Sequence, residues 1–398
     1  MAIKVLCKIL ILVSLPCTVN TIFAEQPQLS KPALNPVISA PQLSSKSYLL
    51  IDYNSGRILA ESNIDARIEP ASITKMLTMY AVDSEIKNNK LSRSDLVHVS
   101  ENANSTPGSR MFIEQNTKVS VDDLIKGIII QSGNDASIAL AEHIAGSEAS
   151  FADLMNGYAK LLGMQNSNFT NVTGLPKEDH YTTTRDLAKL SIALIKDFPE
   201  SYAIYAEKDF TYGNIKQNNR NRLLWKNDKV DGIKTGHTEA AGFCLVASAL
   251  DNNMRLIAIV VGAKDDNTRT IEANKLLTWG FRFFETHKIY AANVKVKDTN
   301  VWLGKANTLD LGLKQDLYVT IRHGEYNKLQ AELDIPEIIK APVKLGQPLG
   351  NYRIKLDQNV IAEMPLIALN EISEGNIFSR VFDNIKLTTK TWLGKFNL

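Results

Sequence analysis

The residue pattern changes character near position 290, and that change constrains the fold more than any other feature of the chain. Upstream, strand-like and helix-like segments alternate. Ser47-Tyr48-Leu49-Leu50-Ile51-Asp52-Tyr53 and Arg57-Ile58-Leu59-Ala60 flank the turn Asn54-Ser55-Gly56, which reads as a β-hairpin. Apolar residues recur at helical spacing over 73–82, 121–130, 135–145, 151–162, 184–197 and 270–286. Two strands are expected at 242–249 and 254–262, around Asp251-Asn252-Asn253. Strands that open and close a region with helices between them imply a mixed α/β (α+β) domain over 46–289, an antiparallel sheet covered by helices. Downstream, short apolar runs at 294–296, 308–313, 317–321, 329–333, 348–356 and 366–369 alternate with turn residues, the pattern of a small all-β sandwich domain over 290–373. A chain of 398 residues accommodates two such domains.

Both ends carry different signals. Lys4 and Lys8 accompany the apolar run Ile9-Leu10-Ile11-Leu12-Val13, and Ala24 offers a cleavage point, so residues 1–24 read as a secretory signal peptide. An uncleaved anchor is the alternative, with a run that is short for a membrane span. Pro, Ser and Gln dominate 25–45, a flexible leader. Cys7 and Cys17 fall inside the signal, leaving Cys244 alone in the mature chain, where Phe243-Cys244-Leu245-Val246 reads as a buried strand. The net charge of +2 carries no nucleic-acid footprint. No metal-ligand cluster stands out among the six histidines and one mature cysteine, and no cofactor is implied.

The final segment, 376–398, places Ile377, Phe378, Val381, Phe382, Ile385, Trp392, Leu393 and Phe396 near helical spacing. Arg380, Lys386, Lys390 and Lys395 are interleaved against one acid, Asp383. A cationic amphipathic helix with aromatics on its apolar side suits a membrane interface. The alternative is a terminal helix docked on its own protein.

Three short motifs carry chemistry. Ser72-Ile73-Thr74-Lys75 is S-x-x-K, Ser132-Gly133-Asn134 is S-x-N, and Lys234-Thr235-Gly236 is K-T-G. Each alone is weak: Ser84-Glu85-Ile86-Lys87 and Ser100-Glu101-Asn102 satisfy the same patterns. Context separates them. Ser72 follows Pro70 and opens an apolar helix, on which Lys75 shares its face. A serine hydroxyl needs an adjacent base, and a lysine serves if burial and a second cation depress its pKa. Lys234 would be that cation. Ser132 could bridge the amines and protonate the leaving group, and Asn134 could bond the substrate amide or hold Lys75. Backbone N–H groups at the Ser72 helix start suit an oxyanion hole.

These motifs stand in stretches that resemble the low-molecular-mass penicillin-binding proteins, serine-type D-Ala-D-Ala carboxypeptidases of peptidase family S11. The stretches are Ile51-Asp52-Tyr53-Asn54-Ser55-Gly56, Glu69-Pro70-Ala71-Ser72-Ile73-Thr74-Lys75-Met76, Ser132-Gly133-Asn134-Asp135-Ala136, Asn219-Arg220-Asn221-Arg222-Leu223-Leu224-Trp225, Val230-Asp231-Gly232-Ile233-Lys234-Thr235-Gly236-His237-Thr238 and Leu276-Leu277-Thr278-Trp279-Gly280-Phe281-Arg282. The resemblance implies that Ser72 is acylated, that Lys75 is its base, and that Ser132 and Asn134 complete the site. It implies substrate binding by Lys234, Thr235 and Gly236, an oxyanion hole from the backbone N–H groups of Ser72 and His237, and a grip on the terminal carboxylate by Arg269. A solvated charge at a helix start is the alternative for Arg269. It further implies peptidoglycan pentapeptide stems as substrate, β-lactam antibiotics as covalent inhibitors, and a periplasmic enzyme held at the inner-membrane surface by its C-terminal helix.

Rival readings share the acylation machinery. A β-lactamase needs an acid for rapid deacylation, and Glu178 and Asp179 are the loop acids available. A D,D-endopeptidase carries the same motifs. A non-catalytic cell-wall scaffold would not need them intact.

Overall fold

The computed structural model describes residues 39–394. The signal segment 1–24 and the leader up to residue 38 lie outside them, as do Lys395 and Phe396. The chain opens with β1 (Ser47–Asp52) and β2 (Ile58–Ser62), then builds a helical body from α1 (Lys75–Lys87), α2 (Val121–Gln131), α3 (Asn134–Ala145), α4 (Glu148–Leu161) and α5 (Thr184–Asp197). It returns through α6 (Leu223–Lys226) to β3 (Val230–Thr238), β4 (Gly242–Asp251) and β5 (Met254–Ala263), and α7 (Asp266–Phe283) follows. The five strands form one antiparallel sheet in the order β2-β1-β5-β4-β3.

Strand alternation explains why helices cover both faces. In β5, Leu256, Ala258 and Val260 point to one side with Leu50, and meet Ala273, Leu276 and Leu277 of α7. Ile257, Ile259 and Val261 point the other way with Leu49 and Ile51, into the helical body. With both faces apolar, each strand must be roofed on both sides. Each fully buried leucine contributes about 2 kcal/mol.

Local chemistry sets the helix starts. The Ser120 hydroxyl accepts from the Asp123 N–H at 3.1 Å and caps α2, with Asp122 and Asp123 in its first turn. The two decoy serines have structural uses. Ser84 lies inside α1 and donates to the Tyr80 carbonyl at 2.7 Å, while Ser100 caps the short helix Glu101–Ser105.

Three expectations change. Ser72 does not open an α-helix: it sits in a 3-10 turn, Ala71–Thr74, and α1 begins at Lys75. The helix expected over 270–286 stops at Phe283, because Phe284 turns extended and starts β6 (Phe284–Tyr290). The last leader residues are docked, since the Glu272 carboxylate on α7 accepts from the Ser44 N–H at 2.6 Å and its hydroxyl at 2.7 Å, and from the Ser45 hydroxyl. Composition suggests a free leader; a carboxylate far along the chain captures it.

The remainder is a β region: β7 (Lys295–Trp302), β8 (Thr308–Leu313), β9 (Leu317–Arg322), β10 (Leu329–Asp334), β11 (Ile339–Lys340), β12 (Pro348–Leu356) and β13 (Asn359–Ala368). Six strands form one sheet in the order β10-β12-β13-β8-β7-β11, and β6 pairs with β9. Leu309, Leu311, Leu313, Val319, Ile354 and Leu366 fill a shared core. Most of β13 escapes the sequence pattern because its residues from Asn359 to Glu363 are exposed or half-buried.

The described residues end in α8 (Ile377–Gly394). Asp383 accepts from the Leu303 N–H at 2.8 Å and Arg380 pairs with Glu374, which ties the helix to the β region, and Leu387 is buried. Ile377, Phe378, Val381, Phe382 and Ile385 are exposed. Among the described residues no helix is long and apolar enough to cross a membrane.

Candidate active site

A cleft of about 690 Å³ opens where the helical body meets the edge strand β3. Ser72 and Ser132 lie at its base; Thr235, Gly236, His237 and Phe243 form one wall; Arg220, Arg222, Trp225, Asp266 and Arg269 line the rest. The three motifs, far apart in sequence, therefore converge on one place.

The turn carrying Ser72 is held in an uncommon backbone state. Ala71, just before it, has φ 47°. Non-glycine residues rarely enter that region without support from their surroundings. Two glycines give the support by close approach. A Cβ on Gly174, whose φ is +82°, would sit 1.8 Å from the Ala71 carbonyl oxygen. A Cβ on Gly236 would stand 3.1 Å from the Pro70 oxygen, so β3 abuts the turn closely enough that any side chain there would make a neighbour give by a few tenths of an ångström. The buried His180 braces the other side. Its Nδ1 accepts from the Thr170 N–H at 3.0 Å, which leaves Nε2–H to donate to the Thr74 hydroxyl at 2.8 Å. Burial pushes the ring pKa down to about 4, so it stays neutral in this role.

Lys75 is fully buried one turn beyond Ser72. Its amine donates to the Ser72 hydroxyl at 3.2 Å and to the Thr173 carbonyl at 2.6 Å. Burial first, then the charge of Arg220, pushes its pKa down to about 7, against an opposing pull from Asp135. Lys234 is held well below the ordinary lysine range, by burial first and then by Lys75, Arg220 and Arg269. Lys75, Lys234 and Arg269 are buried while Arg220 is exposed, and like charges this near one another disfavour each other's charged state.

Ser132 caps α2 in a left-handed conformation, φ 62° and ψ 35°. Its hydroxyl is buried in the cleft base without a hydrogen-bond partner among the described residues. The expected bridge between the two amines is not formed: Lys75 bonds to Ser72 and Thr173, and the Lys234 amine to the Thr235 carbonyl at 3.2 Å. Asn134 does not line the cleft and does not hold Lys75. Its side-chain amide donates to the Pro107 carbonyl at 2.6 Å, leaving Oδ1 unpartnered. Asp135 is buried and accepts from the Met111 and Phe112 N–H groups at 3.0 and 2.8 Å, tying the 110–113 loop to α3. His237 is exposed on the wall, stacked on Phe243 at 3.9 Å between ring centroids. Arg269 reaches in from α7 and donates to the Gly236 and Cys244 carbonyls at 2.9 and 3.1 Å. That makes it a wall residue and not a solvated helix-start charge. Glu178 and Asp179 are exposed and do not line the cleft.

Arg220 is the residue that reading the sequence misses. It donates through Nε to the Gln131 carbonyl at 3.1 Å and its charge reaches both lysines. The stretch Asn219-Arg220-Asn221-Arg222 belongs to the resemblance, but a lone arginine in a polar loop carries no periodicity that assigns it a role.

Known proteins resemble the chain over both of its regions. Residues 35–265 match the family model described as D-alanyl-D-alanine carboxypeptidase, and residues 284–374 match the penicillin-binding protein 5 C-terminal domain. The chain is 44% identical over 372 residues to D-alanyl-D-alanine carboxypeptidase DacC of Escherichia coli strain K12, covering 92% of this chain and 93% of that one. It is 43% identical over 359 residues to the DacA carboxypeptidase of Haemophilus influenzae, covering 89% of this chain and 91% of that one. The crystal structure of penicillin binding protein 5 from Haemophilus influenzae superposes with a TM-score of 0.82 at 43% identity, covering 84% of this chain and 99% of that one. The family models cover both the mixed catalytic region and the C-terminal β region, and the relatives span most of the chain: this chain belongs to the D-alanyl-D-alanine carboxypeptidase family of penicillin-binding proteins.

Proposed function

We propose that the chain is a serine-type D,D-carboxypeptidase that removes the terminal D-alanine from peptidoglycan pentapeptide stems and is trapped by penicillin. The observation that carries this reading is the Lys75 amine, buried and bonded to the Ser72 hydroxyl at the base of a cleft with a cationic wall. Ser72 Oγ attacks the carbonyl carbon between the two D-alanines while Lys75 Nζ takes its proton. The oxyanion meets the backbone N–H groups of Ser72 and His237. The C–N bond breaks, the leaving D-alanine nitrogen takes a proton through Ser132, and an ester on Ser72 remains. Water then attacks the ester carbonyl, the Ser72 Oγ–C bond breaks, the water's proton passes to Ser72 Oγ, and the shortened peptide leaves as its carboxylic acid. Lys234 and Thr235 orient the substrate, Asn134 shapes the site from behind, and Arg269 takes the terminal carboxylate through charge-assisted bonds.

The leaving group's free carboxylate requires a cation, and Arg269 supplies one in the cleft wall. That favours exopeptidase over endopeptidase action. A β-lactamase is disfavoured because neither Glu178 nor Asp179 approaches Ser72 across the cleft. The setting is the periplasm, after removal of residues 1–24, with 46–289 as the catalytic domain and 290–373 as the β domain. The exposed apolar residues of α8 rest on the outer face of the cytoplasmic membrane. Release of D-alanine from a pentapeptide, measured beside β-lactam hydrolysis and labelled-penicillin retention, tests the reading. D-alanine release and a stable label, both lost in Ser72→Ala, are expected. Rapid penicillin turnover without D-alanine release would assign a β-lactamase instead.

A further inference from the structure

We infer that Asp266 is a positioning residue for Arg269 and that Arg222 completes the device by holding Asp266, so that the three set recognition of the leaving residue's carboxylate. The inference rests on the reading of Arg269 as the carboxylate anchor.

Arg269 is almost wholly buried and its head is held from three sides. Nη1 donates to the carbonyls of Gly236 on β3 and Cys244 on β4, and Nη2 meets Asp266 Oδ1. The other Asp266 oxygen, Oδ2, is 2.8 Å from Nε of Arg222, which immediately precedes α6 on the facing side. All three side chains line the same cleft. One carboxylate therefore joins two guanidinium groups from separate elements.

The obvious competing role for Asp266 is to stabilise the start of α7. Asp265 already does that: its side chain caps the helix, accepting from the Thr268 N–H at 2.6 Å. Asp266 spends both oxygens on arginines. The arrangement has a physical purpose on each side. An unsupported arginine must lose rotamer freedom when it grips a ligand; one fixed in advance does not. A lone aspartate there would repel an incoming carboxylate. Arg222 offsets that charge and leaves the cluster with one net positive charge, two arginines against one aspartate.

Steady-state D-alanine release from a peptide ending in free D-Ala-D-Ala tests this, beside the same peptide with its terminal carboxyl amidated. Asp266→Ala should raise KM for the free acid about ten-fold while kcat stays within about two-fold, and KM for the amide should not move. Asp266→Asn, which keeps an oxygen for Arg269, should fall between, and Arg222→Gln should raise the free-acid KM about three-fold. Arg269→Ala supplies the reference. If it raises the free-acid KM and Asp266→Ala does not, the positioning role is overturned and the anchor stands. Equal KM increases for acid and amide would reduce Asp266 to a structural residue and also overturn it. If Arg269→Ala leaves the free-acid KM unmoved, the anchor reading falls and this inference falls with it.

Discussion

The Lys75 amine lies 3.2 Å from the Ser72 hydroxyl and 2.6 Å from the Thr173 carbonyl, which holds it in place beside its target. Its pKa of about 7 bears on rate. Only the neutral amine can accept the Ser72 proton, and that fraction grows as pH rises. Acylation by labelled penicillin should climb from pH 5 and level off above a midpoint near 7. Lys75→Ala should slow acylation by a factor on the order of 10²–10⁴. A midpoint in the ordinary lysine range, or near-normal labelling of the variant, would sink the base assignment.

Arg220 should reveal itself through that same midpoint. Its charge is the second cause of the low Lys75 pKa and contributes to the low Lys234 pKa. Arg220→Gln removes a repelling cation, so Lys75 keeps its proton to higher pH and the acylation midpoint moves upward. A pH profile of acylation checks the direction, and an unmoved midpoint would confine Arg220 to a role in substrate contact.

Gly174→Ala tests the support of the nucleophile turn. The added Cβ would overlap the Ala71 carbonyl and stand 2.9 Å from the Ser72 nitrogen, at a φ unsuited to alanine. The turn must shift. The expected result is a loss of about 2 kcal/mol in stability, read by thermal unfolding, together with slower acylation. A variant with unchanged melting and labelling would show that the turn holds its shape unaided.

Asp83 on α1 makes stability depend on pH. Burial pushes its pKa up to about 6, the Ser201 hydroxyl donates to Oδ1 at 2.6 Å, and Oδ2 has no partner among the described residues. A raised carboxyl pKa means that the folded protein keeps a proton the unfolded chain has lost. This group's contribution therefore falls as pH rises from about 4 to about 6 and stays low above that, by up to ~3 kcal/mol. Asp83→Asn should flatten that slope and melt higher than wild type at pH 7. Parallel melting profiles for the two proteins would contradict the linkage.

The terminal helix has its own test. Ile377, Phe378, Val381, Phe382 and Ile385 are exposed together on α8. Deleting 376–398 should move the protein from the membrane fraction to the soluble fraction after cell fractionation, with penicillin labelling intact. Continued membrane retention would remove the anchor role.

Much of this protein is legible from residue order because much of it is locally determined. Ser120 with Asp122 and Asp123 announces α2 by capping chemistry alone, and the apolar run over 254–262 announces β5 as a strand. The end of α7 is not legible. The helical pattern runs on past Phe283, and what ends it is pairing of β6 with β9, whose residues come later in the chain. Ser44 and Ser45 look like free leader for the same reason: Glu272 is their partner, and no local pattern connects them.

The site divides along the same line. Sequence alone picked Ser72 over Ser84 and brought Ser132 and Lys234 into one hypothesis, because order and spacing are properties of the chain, while Arg269 entered through the family resemblance. It could not show that Lys75 is bonded to Thr173 or that Asn134 faces Pro107 and not the cleft. Nor could it place Arg220 beside two lysines or set Asp266 between two arginines. Those facts decide which groups are charged and where they point. They arise from burial and from neighbours brought together across the fold, so only the tertiary structure contains them.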